Sequence, residues 1–450
     1  MAKHSKKSTT SATGRLFRLT GMTTRVATRV AGHQMKSWFR SDDNRQADRE
    51  ALMEHIGKEV AATLGELKGA VMKVGQIASQ MQDILPPQIS EQLKTLQNDS
   101  TPMPYPVIRQ QVEKQLGAPI DTLFNSFDEA PFAAASIGQV HRATTLDGDP
   151  VVVKVQYPAV RQSIDSDIKQ LRRILRLGSL LKVDDRALEA VFKEIRGQLH
   201  EELDYRREAE NLMQFRDFHR RHPWVVIPEP FKDLSSECVL TLSVEDGTPL
   251  DQVNAENGFD HATRNQLGER LFNALSDQLF SLRAVHGDPH PGNFAFRPDG
   301  SIVFYDFGAI KRLSRDDTRL ISEILQAAMS SNWSQLDARL LELGARKKDT
   351  EVSGDFYATW VNLLLQAFSK TPFDFANSEM HLQLMAQVRK TPFEQMLKFQ
   401  PSSRTLLVER VVSGHYWTMK KLGVVAAFRP LLDDALQHLH DDEEHASPSQ

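Results

Sequence analysis

Two short segments decide how this chain is read: His286-Gly-Asp-Pro-His-Pro-Gly-Asn293 and Tyr305-Asp-Phe-Gly308. The stretch that joins them, Asn293-Phe-Ala-Phe-Arg-Pro-Asp-Gly-Ser-Ile-Val-Phe-Tyr305, alternates as strand, Asp-Gly turn, strand. It therefore predicts a hairpin that brings Asp288, Asn293 and Asp306 to one mouth. An acid, an amide five residues later and an acid ahead of Phe-Gly are the groups phosphoryl transfer uses. One carboxylate orients a hydroxyl, and two oxygen donors hold magnesium against phosphates. His286 and His290 have the spacing of a helical zinc pair, but Pro289 and Pro291 forbid that helix. Asp-Phe-Gly and Asp-Pro are common pieces singly, and their order here, with a lysine-bearing strand far upstream, gives them weight.

That strand is Val151-Val-Val-Lys-Val155. A lysine among valines either reaches water at a sheet edge or is buried opposite an acid, and the flanking valines favour the second. Candidate partners lie in Glu201-Glu-Leu-Asp-Tyr-Arg-Arg-Glu208. Asp204 and Glu208 form a like-charge repeat four residues apart, which disfavours a helix unless cations or a metal face it. The bland alternative is a solvated acidic face balanced by Arg206 and Arg207. Two lysines in need of a role, Lys73 and Lys154, favour pairing.

Outward from these segments the organisation is coarse but consistent. The first 14 residues are Lys/Ser/Thr-rich, and residues 15 to 39 carry an amphipathic pattern with Arg18, Arg25, Arg29 and Lys36 on one flank. Three readings of that segment stand side by side: packing on its own protein, contact with an anionic membrane, and a mitochondrial transit peptide. A helical block from about 48 to 81 contains Lys73-Val-Gly-Gln76, with Lys73 and Gln76 on one face. Strand patterns follow at 135–143, 151–155, 224–227 and 238–242, with helix between 160 and 221 and through most of the remainder, residues 309–329 included. A strand-rich part followed by a helix-rich part predicts an α+β fold of two lobes about a cleft. The expected divisions are 1–45, a basic, partly disordered arm with an amphipathic helix; 46–105, a helical extension; 106–247, a strand-bearing lobe; 248–440, a helical lobe; and 441–450, a disordered acidic tail.

The chain has 450 residues, 40% of them hydrophobic, which is enough for two lobes with cores of their own. No window approaches about 18 consecutive apolar residues, so no spanning helix is expected. The single cysteine, Cys238, excludes a disulfide scaffold and a cysteine-built zinc site. Ten Lys/Arg against two acids give the first 45 residues +8, so a chain of net charge −4 has a body of −12. An acidic body argues against nucleic acid as the main partner, and a basic arm favours something anionic.

As a set these motifs resemble the AarF/UbiB/ADCK family of atypical kinases, to which the coenzyme Q accessory kinases belong, over roughly residues 50 to 428. Lys73-Val-Gly-Gln76 is similar to the family's KxGQ motif, Ala133-Ala-Ala-Ser136 to its alanine-rich loop, and Glu202-Leu-Asp204 to its ExD motif. The resemblance implies that Lys154 grips nucleotide phosphates and pairs with Glu208, that Asp288 is catalytic, and that Asn293 and Asp306 hold Mg2+. It further implies a protein-kinase-like fold whose N-terminal helical extension packs over the cleft, where Lys73 and Gln76 meet Glu202 and Asp204. Alanines in place of a glycine-rich loop restrict backbone approach to phosphates, so ATP handling should differ from that of an ordinary kinase. The hinge to adenine is expected near Val244, although the acid usual at its start is Ser243 here. No Ala-Pro-Glu segment follows Gly308, so a peptide-docking activation segment is expected to be missing.

The expected function is therefore that of an ATP- and Mg2+-dependent kinase or ATPase acting on, or coupled to, a lipid or isoprenoid-like small molecule of ubiquinone metabolism. The competing readings are a nucleotide-binding module of pseudokinase type and a small-molecule kinase of the aminoglycoside or choline type. The expected location is cytoplasmic, peripheral on the inner face of the membrane if residues 15–39 bind lipid, or the mitochondrial matrix if they form a transit peptide.

Overall fold

Val151, Val153 and Val155 alternate with Val152 and Lys154 along one strand, and the three odd-numbered valines are fully buried. This computed structural model describes residues 102–134, 137–158, 199–348, 350–400 and 404–445, with scattered positions elsewhere. Lys73, Gln76, Ala135 and Ser136 lie outside the described residues, as does the segment 15–39 apart from Gly21 and Thr28. The chain divides into two compact units, residues 1–209 with 230–244, and residues 210–229 with 245–450.

The first unit is built on an antiparallel sheet of β1 (Phe124–Phe127), β2 (Ala133–Ala134), β3 (Gly138–Thr145), β4 (Pro150–Gln156) and a strand at Val239–Ser243. The order is β1-β3-β4 and then Val239–Ser243, with β2 paired to β3. Lys154 lies opposite Val140 on one side and Leu240 on the other, so it stands on an inner strand. One face of β4 is sealed by the valines, and helix α1 (Tyr105–Leu116) packs against β4 and the Val239–Ser243 strand with Ile108 and Val112 fully buried. Residues 135–143 therefore do not form one strand: β2 ends at Ala134 and β3 begins at Gly138.

The second unit is mostly helical. Helix α2 (His261–Phe280) starts where the Asp260 side chain accepts the N–H of Thr263 at 2.7 Å, and it packs against α3 (Leu406–Leu422) and α4 (Phe428–His445). Its sheets are small. Two short strands, Phe294–Phe296 and Ile302–Phe304, form the predicted antiparallel hairpin, and Val225–Val226 joins the second strand in parallel. Gly300 turns the hairpin at φ +83°, a conformation that disfavours a side chain, and the Asp299 carboxylate accepts the Ser301 N–H at 2.8 Å. Phe294 and Phe304 meet edge to face beneath it at 5.2 Å.

Two further sequence expectations need correction here. The tail expected to be disordered from residue 441 is still helical as far as His445, where α4 ends. Residues 309–329 are not helical from their start: Ile310–Arg312 is a strand antiparallel to Ala284–His286, and the helix begins at Arg315. A capping box sets that beginning, with the Ser314 hydroxyl accepting the Asp317 N–H and the Asp317 carboxylate accepting the Ser314 N–H, both at 3.0 Å.

Candidate active site

In the first unit the Lys154 ammonium donates to Glu208 Oε1 at 2.5 Å. The lysine side chain is 19% exposed and the glutamate 3%. Burial of a carboxylate to that degree is tolerable only beside a cation, and the Tyr205 ring adds a second favourable face 5.4 Å from the Lys154 nitrogen. Glu208 is in the first turn of the helix Tyr205–Phe218. Asp204 stands just ahead of that helix, where its carboxylate accepts the Arg207 N–H at 3.2 Å and its carbonyl accepts the Glu208 N–H at 3.0 Å. The like-charge repeat is thereby resolved: Asp204 caps the helix and Glu208 faces a lysine. Arg207 reaches Glu201 at 3.4 Å, Arg206 is exposed, and Glu202 is half-buried. Ala133 and Ala134 form β2, and the Val244 N–H donates to the Pro150 carbonyl at 3.3 Å just beyond the sheet.

In the second unit the Asn293 amide donates to Asp288 Oδ2 at 2.9 Å and to the Asp288 carbonyl at 3.2 Å. Because the amide nitrogen is committed to Asp288, the Asn293 oxygen is the end left to accept or coordinate. Arg410 on α3 approaches Asp288 Oδ1 at 3.5 Å, and the Asp288 side chain is 39% exposed. Asp306 follows the hairpin, tied to its base by the Tyr305 N–H donating to the Asn293 carbonyl at 3.0 Å. Its carboxylate accepts the Gly308 N–H at 2.9 Å, which fixes the turn at Phe307.

A buried imidazole supports the backbone at Asp306. His286 donates from Nε2 to the Asp306 carbonyl, and its ring packs edge to face on Phe307 at 5.1 Å. Burial pushes its pKa below the usual histidine range, against the opposing pull of Asp306 and Asp288, so the ring is a neutral donor. Its backbone N–H donates to Gln278 at 3.1 Å. His290 behaves differently: exposed, it accepts the Gly292 N–H at 3.1 Å through Nδ1. The Phe307 carbonyl accepts from Asn211 at 2.9 Å, while Arg312 donates to Asn211 and Gln214.

Sequence reasoning missed Asn211, Gln278 and Arg410. Each is an ordinary polar residue on a helix, and no local pattern separates it from a solvated one.

Comparison with known proteins shows the family of the chain. Residues 95–340 match the family described as "ABC1 atypical kinase-like domain". The chain belongs to the ABC1 atypical kinase family. This is the AarF/UbiB/ADCK group, and the ABC1 match contains every candidate site residue named above except Lys73, Gln76 and Arg410. An uncharacterized protein of Synechocystis is 33% identical over 324 residues, 70% of this chain and 54% of that protein. A probable protein kinase UbiB of Pasteurella multocida is 29% identical over 368 residues, 78% of this chain and 69% of its own length. The mitochondrial atypical kinase COQ8B of Danio rerio is 28% identical over 396 residues, 85% and 61% of the two chains. The chain thus spans about half to two-thirds of the length of these relatives. A solved complex of Rv3197 with erythromycin from Mycobacterium tuberculosis shares the fold at a TM-score of 0.63, with 26% identity, 88% of this chain and 98% of that one covered. Among the described residues, no helix is long and apolar enough to cross a membrane.

Proposed function

We propose that this chain is an ATP- and Mg2+-dependent phosphotransferase or ATPase that acts on, or is coupled to, a lipid-like small molecule of the ubiquinone pathway. The observation that carries the reading is the buried Lys154–Glu208 pair at 2.5 Å, because an inner-strand lysine held by a helix glutamate is pre-positioned for phosphate oxygens. Lys154 grips the α- and β-phosphates, with Ala133 to Ser136 and Val244 bordering the nucleotide, and Glu208 keeps the ammonium in place.

The residues of the second unit fit magnesium. Asn293 offers its amide oxygen and Asp306 its carboxylate, both hard oxygen donors of the kind the ion prefers. When bound, the ion neutralises phosphate charge. Asp288, held by the Asn293 amide and partly open to solvent, orients the acceptor hydroxyl and receives its proton. The names UbiB and COQ8B support the ubiquinone assignment, since those relatives share most of this chain's length.

Lys73 and Gln76, with Glu202 and Asp204, restrict the acceptor to molecules smaller than a peptide. The basic segment 15–39 brings the protein to anionic membrane. ATP turnover measured with and without Mg2+, and with and without anionic liposomes, tests the reading. Mg2+-dependent turnover that Asp306→Asn and Lys154→Met abolish is expected, and Mg2+-independent or absent turnover would overturn it. Deleting residues 1–40 should end liposome cosedimentation and spare nucleotide binding.

A further inference from the structure

Helix α3 carries a glycine in its interior, Gly414, where alanine would serve the helix better. The reason lies in what faces it. A Cβ built on Gly414 would sit 2.3 Å from Cβ and 2.4 Å from Cγ of Pro289, the residue that follows Asp288. The glycine therefore leaves a notch one methyl deep, and the proline ring fills it. The contact is one of a row. One turn earlier Arg410 approaches Asp288 Oδ1 at 3.5 Å, and one residue later the buried His415 ring stands 5.7 Å from Phe294, the first residue of the hairpin. One turn later Thr418 donates to the Gly414 carbonyl at 3.2 Å.

We propose that Gly414 is a positioning residue: by admitting the Pro289 ring, it sets how far the loop from His286 to Asn293 stands off helix α3, and so where the Asp288 carboxylate is presented. The inference rests on the phosphotransfer reading for its kinetic consequence. The seat itself does not. A methyl at residue 414 cannot coexist with Pro289 where it stands, because a change of ring pucker moves Cγ but not the nearer Cβ, and the helix backbone is fixed by its neighbours. The loop must lift, and the Asn293 amide moves with Asp288. Displacement of a reacting group by about 1 Å costs on the order of 100-fold in rate without a change in substrate affinity of similar size.

Gly414→Ala is expected to lower kcat for ATP turnover by roughly 10- to 100-fold, with KM for ATP nearly unchanged and the melting temperature lowered by the clash. Adding Pro289→Gly removes both contact atoms and should restore part of the loss, so the double variant turns over faster than Gly414→Ala alone. Gly268→Ala is the control for a buried methyl as such. A Cβ there would meet the Val424 side chain at 2.6 Å, away from the loop, so it should lower the melting temperature and leave kcat per folded molecule unchanged.

Hydrogen exchange at the amides of Gly287 and Asn293, which donate to Ala309 and His290 at 2.8 and 2.9 Å, reads the seat without any assay of activity. Faster exchange at both in Gly414→Ala supports the proposal. Equal kcat and equal exchange in Gly414→Ala and the parent protein overturn it, as does a double variant no faster than the single one. If the parent protein shows no ATP turnover, the phosphotransfer reading falls and exchange alone decides the seat. Should Gly414→Ala fail to fold, Pro289→Ala takes the outer ring carbons, Cγ included, out of the notch from the other side; faster exchange at Asn293 then supports the seat and unchanged exchange overturns it.

Discussion

The lysine–glutamate pair of the first unit and the Asp288–Asn293 loop of the second are made in opposite ways. Lys154 and Glu208 are an ion pair locked into rigid elements, an inner strand and the first turn of a helix, with the carboxylate 3% exposed. Asp288 is 39% exposed, on a loop with no regular ladder of its own, and is held by an amide and a more distant guanidinium. The first arrangement spends its charge on the fold. The second keeps carboxylate surface available for chemistry, and leaves its geometry to buried, neutral supports such as His286 and Gln278.

The contrast breaks most visibly at Asp306. Asp306→Asn keeps an oxygen that can accept the Gly308 N–H but loses the carboxylate charge proposed to hold Mg2+, so Mg2+-dependent ATP affinity should fall by about 100-fold or more with little change in melting temperature. Equal affinity at saturating Mg2+ would remove the metal assignment. The first unit should respond in the other sense. Lys154→Met leaves a buried carboxylate unpaired and Glu208→Gln a partly buried ammonium, so each should cost about 3 kcal/mol of stability, and the double variant far less than the sum. Additive losses in that cycle would mean that the pair is not coupled.

A third test uses acid. Burial pushes His219 and His415, both in the second unit, down to about 3, in His415 with a further push from His286. The unfolded chain takes up protons on these rings below about pH 6.5 and the folded one does not, so stability falls as pH drops from about 6.5 toward 3. Each ring should contribute about 1.4 kcal/mol per pH unit in that window. In the first unit burial likewise lowers the pKa of His141, the one described histidine of its sheet. Segment-resolved hydrogen exchange between pH 7 and 5 should therefore show the second unit loosening first; simultaneous loosening would count against this partition.

The smallest effect sharpens the comparison within the first unit. Arg161 and Glu237 pair at 2.8 Å with side chains 41% and 49% exposed. Arg161→Ala should change stability by no more than about 0.5 kcal/mol in chemical denaturation. A loss near that of Lys154→Met would show that burial is not what separates the two pairs.

Much of this was legible in the sequence where a local pattern and a chemical oddity coincide. The hairpin follows from Phe-Ala-Phe, an Asp-Gly turn and Ile-Val-Phe, and the pairing of Lys154 from a charge that a valine strand cannot bury alone. The role of Asp204 was not legible, because a capping carboxylate and a ligand carboxylate look alike until the helix start is known. Asn211, Arg410 and Gly414 act at long range on the loops around Asp288 and Asp306, and nothing in their neighbourhoods marks them. The strand Ile310–Arg312 escaped for a related reason: three residues are too few to show a period, and its partner Ala284–His286 precedes the whole hairpin.

That short strand has a regulatory consequence. Only six residues, Ala309 to Ser314, separate Gly308 from the helix that begins at Arg315, and half of them are tied to the strand leading into Gly287 and Asp288. A segment so short and so paired leaves little slack for a phosphate or a bound protein to move it. The turn at Asp306 is thus followed at once by backbone pairing of Ile310–Arg312 with Ala284–His286, which anchors it to the strand that leads into Asp288.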